Sequence, residues 1–344
     1  ARRALRLQRW LALLDDVHGL LFSGRHATPR ELFYTHAGLF ERQQQSNDLL
    51  KGLCRALEVP RHYLRLVGTA KGLVRGHVRL LEPCLAKGGN SCEGDGGTAT
   101  GCWVDGLDPL EPGGHSISPI CAHLVRVEAM AQLVLVVEKE TVFHRLLSEG
   151  ILEQHRPCIV VTGRGFPDVP TRYFLRRVHQ DLGAPRILAL TDFDASGLAI
   201  GATYAFGTEG AWMQDDLALP NTVPLVCPGG AMGAAARFGL LATDTVPLTA
   251  RDMAVAKGLL KRFSRLRAGG AICPAAALAW EKATKLLLEG GVKYELDALD
   301  RLSEFVDFGV RTQGGWTAHP ILDRSVGSPG TTNTTRQIWD KNVP

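Results

Sequence analysis

The sequence predicts an α/β chain in which an N-terminal winged-helix domain precedes a parallel sheet flanked by helices. Three observations predict it. Between residues 131 and 192, apolar runs of strand length alternate with helical patterns across short links, which implies right-handed crossovers and parallel pairing. Ahead of them, three helical segments are followed by two β-prone stretches. Between the two regions lies a glycine-rich run, "AKGGNSCEGDGGTATGCWVDGLDPLEPGG". At 344 residues and 45% hydrophobic, the chain is long enough for two domains with real cores.

The opening "ARRALRLQRWLALLDD" carries four arginines before its first acid, as a transit peptide would. Its apolar residues Leu7, Trp10, Leu11, Leu14, Val17 and Leu21 recur at helical spacing, so an amphipathic helix is expected. The missing initiator Met suggests a truncated chain. In "ATPRELFY", Thr28 is followed three residues later by Glu31 with Pro29 between, a capping box that starts a helix at Pro29. A third helix is expected from Ser46, with Leu49, Leu50, Leu53 and Leu57 on one face. "YLRLVGTAKGLVRGHVRL" then reads as a hairpin joined across Lys71 and Gly72. Three helices and a hairpin make a winged helix-turn-helix, a fold that often places one helix in the DNA major groove.

Strands are expected at 131–138, 158–163 and 186–192, with helices over "ETVFHRLLSEG" and "PTRYFLRRVHQDLG" between them. Helices over "LTARDMAVAKGLLKR", "PAAALAWEKATKLLLEGG" and "KYELDALDRLSEFVDFGV" extend this domain and cover its faces. The expected organisation is a winged-helix domain at 1–83, a flexible insertion at 84–122, the α/β domain at 123–323 and a disordered tail at 324–344. The longest purely aliphatic stretch, "LVLVV", is far short of the roughly 20 residues of a membrane span. Eight cysteines without a C-x-x-C pair predict reduced thiols rather than a disulfide frame or zinc site. A net charge of +4 permits a polyanionic partner without requiring one.

Candidate chemistry begins at "LALTDFDASG", where Asp192 and Asp194 stand two apart as an apolar run ends. Alternate residues of an extended chain point the same way, with like atoms roughly 6.6 to 7 Å apart. The spacing alone suits a solvated turn as well as a cation. Ligands of parallel sheets collect beyond the carboxyl ends of the strands, and there Glu138 joins the two aspartates. Such convergence favours a carboxylate-lined Mg²⁺ site, because unneutralised like charges so close repel. Glu140 competes with Glu138, but its place in a first helical turn gives it a dipole-complementing role. Gly163 and Gly165 in "TGRGFPD" match neither a P-loop nor a dinucleotide fingerprint.

On these residues the chain resembles the family of topoisomerase VI A subunits and their eukaryotic relatives, the meiotic DNA double-strand-break transesterases. "TPRELFYTHAGLFERQ" resembles the family's tyrosine motif, "KGLVRGHV" its wing, "LVLVVEKETVFHRLL" its Toprim glutamate motif, "VVTGRGFPDVPTRYFL" the following loop and "LALTDFDASGLAI" its D-x-D motif. "GVKYELDAL" and "SEFVDFGVRTQGGW" are similar to its closing helices. The resemblance implies a Toprim-type sheet, Tyr34 as nucleophile and Glu138, Asp192 and Asp194 as Mg²⁺ ligands. Arg30, four residues before Tyr34 on the same helix, can reach a phosphate beside the phenol, and Lys71 and Arg172 stand where basic residues can meet DNA. One departure is "DASG": where the family commonly has a proline or a bulky polar residue before the glycine, this chain has Ala195 and Ser196.

The implied reaction is attack of a tyrosyl oxygen on a backbone phosphorus of duplex DNA, giving a 5′-phosphotyrosyl link and expelling a 3′ oxygen. It further implies a homodimer when active, a topoisomerase VI B-like partner, accessory recombination proteins and a nuclear location. Three alternatives remain at this point. They are the A-type component of an ATP-dependent type IIB topoisomerase VI, a catalytically silent DNA-binding or scaffold relative, and a Toprim nuclease that hydrolyses nucleic acid through the metal alone.

Overall fold

The computed structural model describes residues 2–68, 70–83, 101–119, 126–183, 185–208, 217–219, 221–225, 235–268 and 274–312. The expected tail at 324–344 and the insertion's residues 84–100 and 120–122 lie outside them. Helices α1 (Arg2–Ser23), α2 (Pro29–Thr35) and α3 (Gln43–Leu57) open the chain. They close on a core of their own, built from Leu13, Val17, Leu32, Phe40, Leu50, Leu53 and Leu66. The capping box forms as the sequence predicts: Thr28 Oγ1 accepts the Glu31 N–H at 3.1 Å, and the Glu31 carboxylate accepts the Thr28 N–H at 2.5 Å.

The expected hairpin across Lys71 and Gly72 does not form. Strand β1 (Leu73–Gly76) pairs antiparallel with β7 (Cys158–Thr162), and β2 (Val78–Pro83) enters a separate three-stranded sheet between β3 (Gly101–Asp105) and β5 (Arg126–Ala129). The chain changes sheets at Gly76, whose φ of +123° is open to glycine and strained for other residues. A Cβ there would lie 2.3 Å from the Cys158 carbonyl oxygen. The expected flexible insertion is also partly structured, since β3 and β4 (His115–Ser116) lie within it and Ile117 is buried. Cys102 is disulfide-bonded, against the expectation of reduced thiols throughout, while Cys54 and Cys158 are free.

The main sheet has the order β4-β1-β7-β6-β8-β9, where β6 is Leu133–Val137, β8 Arg186–Leu190 and β9 Thr222–Pro224. Strands β7, β6, β8 and β9 are parallel as expected; the antiparallel edge of β1 and β4 makes the sheet mixed. Successive residues alternate between its faces. Leu133, Leu135 and Val137 enter one core, shared with α4 (Glu140–Ser148), the short α5 (Ile151–Gln154), α7 (Ala195–Phe206) and α9 (Pro274–Gly290). Val134 and Val136 enter the other, with Phe174, Leu175 and Val178 of α6 (Val169–Asp181). Burial on both faces explains why these strands read as continuous apolar runs.

Helix α8 (Ala250–Ala268) and α9 appear where the sequence places them. The last expected helix is shorter: Val292–Lys293 is a strand, β11, paired with β10 (Val246–Pro247), and α10 (Leu302–Thr312) begins only beyond it. Among the described residues no helix is long and apolar enough to cross a membrane. Gly76→Ala should lower the unfolding free energy by about 2–4 kcal/mol in urea denaturation, because both the backbone and the neighbouring strand must shift.

Candidate active site

Strand order places the carboxylates. The chain runs from β6 outward to β7, then crosses back to β8 on the other side of β6, so the β6/β8 boundary is a topological switch point where α/β sheets gather ligands. Glu138 directly follows β6, and its N–H donates to the Leu190 carbonyl of β8 at 3.0 Å. Asp192 follows β8, and its N–H donates to Glu138 Oε2 at 3.0 Å. Asp194 caps α7, accepting the Gly197 N–H at 2.6 Å. A Cβ on Gly197 would lie 2.3 Å from the Asp192 carbonyl and 3.0 Å from Glu138 Oε2, so glycine is what lets the helix end approach both acids. The three acids therefore share one edge. The departure at Ala195 and Ser196 leaves this geometry intact, with Ala195 buried in the first turn.

Burial, and then the Asp192 and Asp194 charges, push the Glu138 carboxyl up from 4.5 to about 7. For Asp192, only 7% exposed, burial outweighs the Leu296 N–H and the Lys139 ammonium, and its carboxyl is raised. Hard carboxylate oxygens carrying excess negative charge fit Mg²⁺ in chemistry. They do not yet form a ligand shell: among the described residues no group of three or more His, Cys, Asp or Glu side chains is placed to hold a metal ion. The cation beside Asp192 is instead Lys139, whose Nζ lies 2.9 Å from Oδ2. Glu140 occupies the first turn of α4, as expected, and pairs with Arg164 at 2.5 Å.

The loop after β7 folds over Glu138. Gly165 donates its N–H to the Glu138 carbonyl at 2.8 Å, while Arg164 adopts a left-handed φ of 51°. Phe166 next to them is 54% exposed. Lys71 reaches this loop, its Nζ donating to the Arg164 carbonyl at 3.2 Å, and its N–H is held by Asp168. The expectation that Arg172 meets DNA is not met: it lies inside α6 at 2% exposure, because the helix buries that face against the sheet.

Tyr34 and Arg30 share a face of α2 as the four-residue spacing predicts. The Arg30 guanidinium donates to Tyr34 Oη at 3.3 Å and its carbon lies 5.6 Å from the ring centroid. Tyr34 is 58% exposed. The hydrogen bond to Tyr34 raises the Arg30 pKa. Sequence reasoning missed Lys139, Arg164 and the segment Tyr294–Asp297, which grips Asp192 from a hundred residues away: the Leu296 N–H donates to Oδ1 at 2.9 Å, and Phe193 and Tyr294 bridge through their backbones. The lysine beside Glu138 in "VVEKE" and the acids of "KYELD" were the available signals.

Comparison with known proteins gives two family matches. One, the Toprim domain of the topoisomerase 6 A-subunit/Spo11 family, covers residues 133–308, and one described as type IIB DNA topoisomerase covers residues 5–66. The meiotic recombination protein SPO11-1 of Oryza sativa subsp. indica is 32% identical over 87% of this chain and 71% of its own length. The human meiotic recombination protein SPO11 is 28% identical over 85% of this chain and 66% of its length. The A3 subunit of DNA topoisomerase 6 from the same rice is 32% identical over 87% of this chain and 60% of its length.

The raised Glu138 carboxyl has a sign that can be measured. Its folded pKa of about 7 lies above the unfolded 4.5, so the folded state holds a proton the unfolded state releases, and stability falls as pH rises across that window. In chelator, the wild type should lose about 3 kcal/mol from this group by pH ~8. Glu138→Gln should flatten the slope and be the more stable protein above neutrality, as read by urea denaturation.

Proposed function

The chain belongs to the topoisomerase 6 A-subunit/Spo11 family, and from that premise we propose that it breaks both strands of duplex DNA by tyrosine transesterification to initiate meiotic recombination. The observation that carries the reading is the exposed Tyr34 with Arg30 on its hydroxyl, set on a helix whose start is fixed by a capping box. Tyr34 Oη attacks a backbone phosphorus, a bond to the 3′ oxygen breaks, and the protein is left on the 5′ phosphate. A phosphodiester is exchanged for a phosphodiester, so no water enters and no energy source is needed. A free phenol titrates near 10, so its proton leaves to solvent as Oη attacks and the departing 3′ oxygen takes one up, while the Arg30 guanidinium donates a hydrogen bond to Oη. The same guanidinium can then hold a non-bridging phosphate oxygen.

Glu138, Asp192 and Asp194 would hold a divalent cation, which when bound supplies positive charge to the phosphate and the departing 3′ oxygen. Lys71, Arg164 and the exposed Phe166 offer a basic rim with an apolar tip beside them, a combination suited to a DNA backbone and groove. Among the described residues, Tyr34 contacts Arg30 and Phe33 rather than the acids. This supports a composite site in which the tyrosine of one protomer meets the carboxylates of a second. We place the tyrosine-bearing domain at 1–83, with the Toprim domain at 123–323 supplying the metal ligands.

We also place a B-like partner on α1. Leu7, Leu11, Leu14 and Leu21 recur at intervals of four, three and seven on its exposed side and end at the exposed Phe22, a stripe that flanks the buried Leu13, Val17 and Leu20. A nuclear location follows from a chromosomal substrate. The rice meiotic relative is matched over more of its length than the rice topoisomerase component, which supports the meiotic reading over the topoisomerase one.

Tyr34→Phe should abolish protein attached to 5′ DNA ends in denaturing gels while leaving DNA affinity within about twofold; retained cleavage would instead indicate a metal-dependent nuclease. Leu7→Glu with Leu11→Glu should prevent co-purification with a B-type partner without changing helical content by circular dichroism.

A further inference from the structure

Lys139 stands at the centre of this edge without a part in the phosphoryl transfer. Its Nζ lies 2.9 Å from Asp192 Oδ2, 2.8 Å from Glu295 Oε2 and 3.1 Å from Asp297 Oδ2. Burial works against the ammonium, yet the hydrogen bonds to Glu295, Asp192 and Asp297 hold its pKa above the usual lysine value. The three acids differ in setting: Asp192 is nearly buried, while Glu295 and Asp297 face solvent. The segment carrying the outer two is anchored independently of Lys139, through the Leu296 N–H on Asp192 Oδ1 and the Phe193–Tyr294 bridge with its stacked rings. An ammonium leaving Asp192 would therefore find two carboxylates still in place beside it.

We propose that Lys139 is the internal counter-ion of this carboxylate site: its ammonium neutralises Asp192 until a divalent cation takes that oxygen, and Glu295 and Asp297 then retain the displaced ammonium. The proposal rests on the reading of Glu138, Asp192 and Asp194 as metal ligands. Lys139 acts through Asp192 and is a positioning residue. A single charge on a long flexible stem can yield to a divalent ion, whereas an arginine fork would bind the carboxylate more rigidly. The arrangement keeps the acids from repelling one another in the metal-free chain and keeps the segment 294–297 docked in both states.

The test is calorimetric titration of Mn²⁺ into the full chain without DNA. Lys139→Met removes the competing charge and should bind Mn²⁺ roughly tenfold more tightly. Glu295→Gln with Asp297→Asn, at exposed positions where folding is tolerant, should weaken binding several-fold in the wild-type background and much less in the Lys139→Met background. Damage to the fold would weaken binding in every variant, so a tightening is specific to the counter-ion role. Unchanged or weaker binding by Lys139→Met, or equal effects of the double substitution in both backgrounds, would overturn the proposal. If Asp192→Asn bound Mn²⁺ as the wild type does, the metal-ligand reading would itself fall and take the proposal with it.

Discussion

Three carboxylates at the ends of two adjacent parallel strands repel one another in a partly dry setting, and the structure around them is organised by that repulsion. The β6/β8 pairing sets the distance, since Glu138 is bonded through its own amide to Leu190 at the end of the neighbouring strand. Three kinds of group offset the charge. Backbone amides of Asp192, Gly197 and Leu296 point at the carboxylates, the N-terminus of α7 faces Asp194, and Lys139 supplies a full positive charge. Even so, Glu138 remains well above the usual carboxylate range, so the site retains a drive to acquire a further cation.

The other half of the chemistry is built on different physics. Tyr34 sits on a helix of seven residues, too short to hold itself in water, and it depends on the capping box and on Leu32 packing into a small core separate from the two that cover the sheet. Separate cores allow the tyrosine-bearing helices and the carboxylate edge to be presented as distinct surfaces. On the proposed reading, a second copy completes each site, and two such sites address the two strands of a duplex. Tyr34 keeps Arg30 as its hydrogen-bond partner within the chain and otherwise faces solvent.

Much of this was legible in the sequence because the signals were local. The capping box at Thr28, the four-residue spacing of Arg30 and Tyr34, and the uninterrupted apolar strands each depend on residues close together. What failed depended on distant partners. "KGLVRGHV" looks like half a hairpin until the open edge of β7, more than eighty residues on, competes for it and wins with a continuous register. The part of the glycine-rich run at 101–119 is folded because β2 and β1 offer it edges to pair with, which composition alone does not reveal. Arg172 looks like a surface base in a helix rich in arginine, but the face it occupies is decided by Phe174, Leu175 and Val178 packing on the sheet. The grip of Tyr294–Asp297 on Asp192 likewise needs the sheet and its covering helices to bring the two segments together.

The central claim is that Tyr34 of one protomer acts with the carboxylates of another, and a mixing experiment tests it most directly. Tyr34→Phe and Asp192→Ala chains, distinguished by size, are incubated separately and together with duplex DNA, Mg²⁺ and the B-type partner. Each alone should attach to no DNA ends. Co-assembled, they should give 5′-linked DNA on the Asp192→Ala chain only, because it keeps the tyrosine and borrows its partner's acids. Attachment to the Tyr34→Phe chain, or none in the mixture while the wild type attaches under the same conditions, would contradict the account.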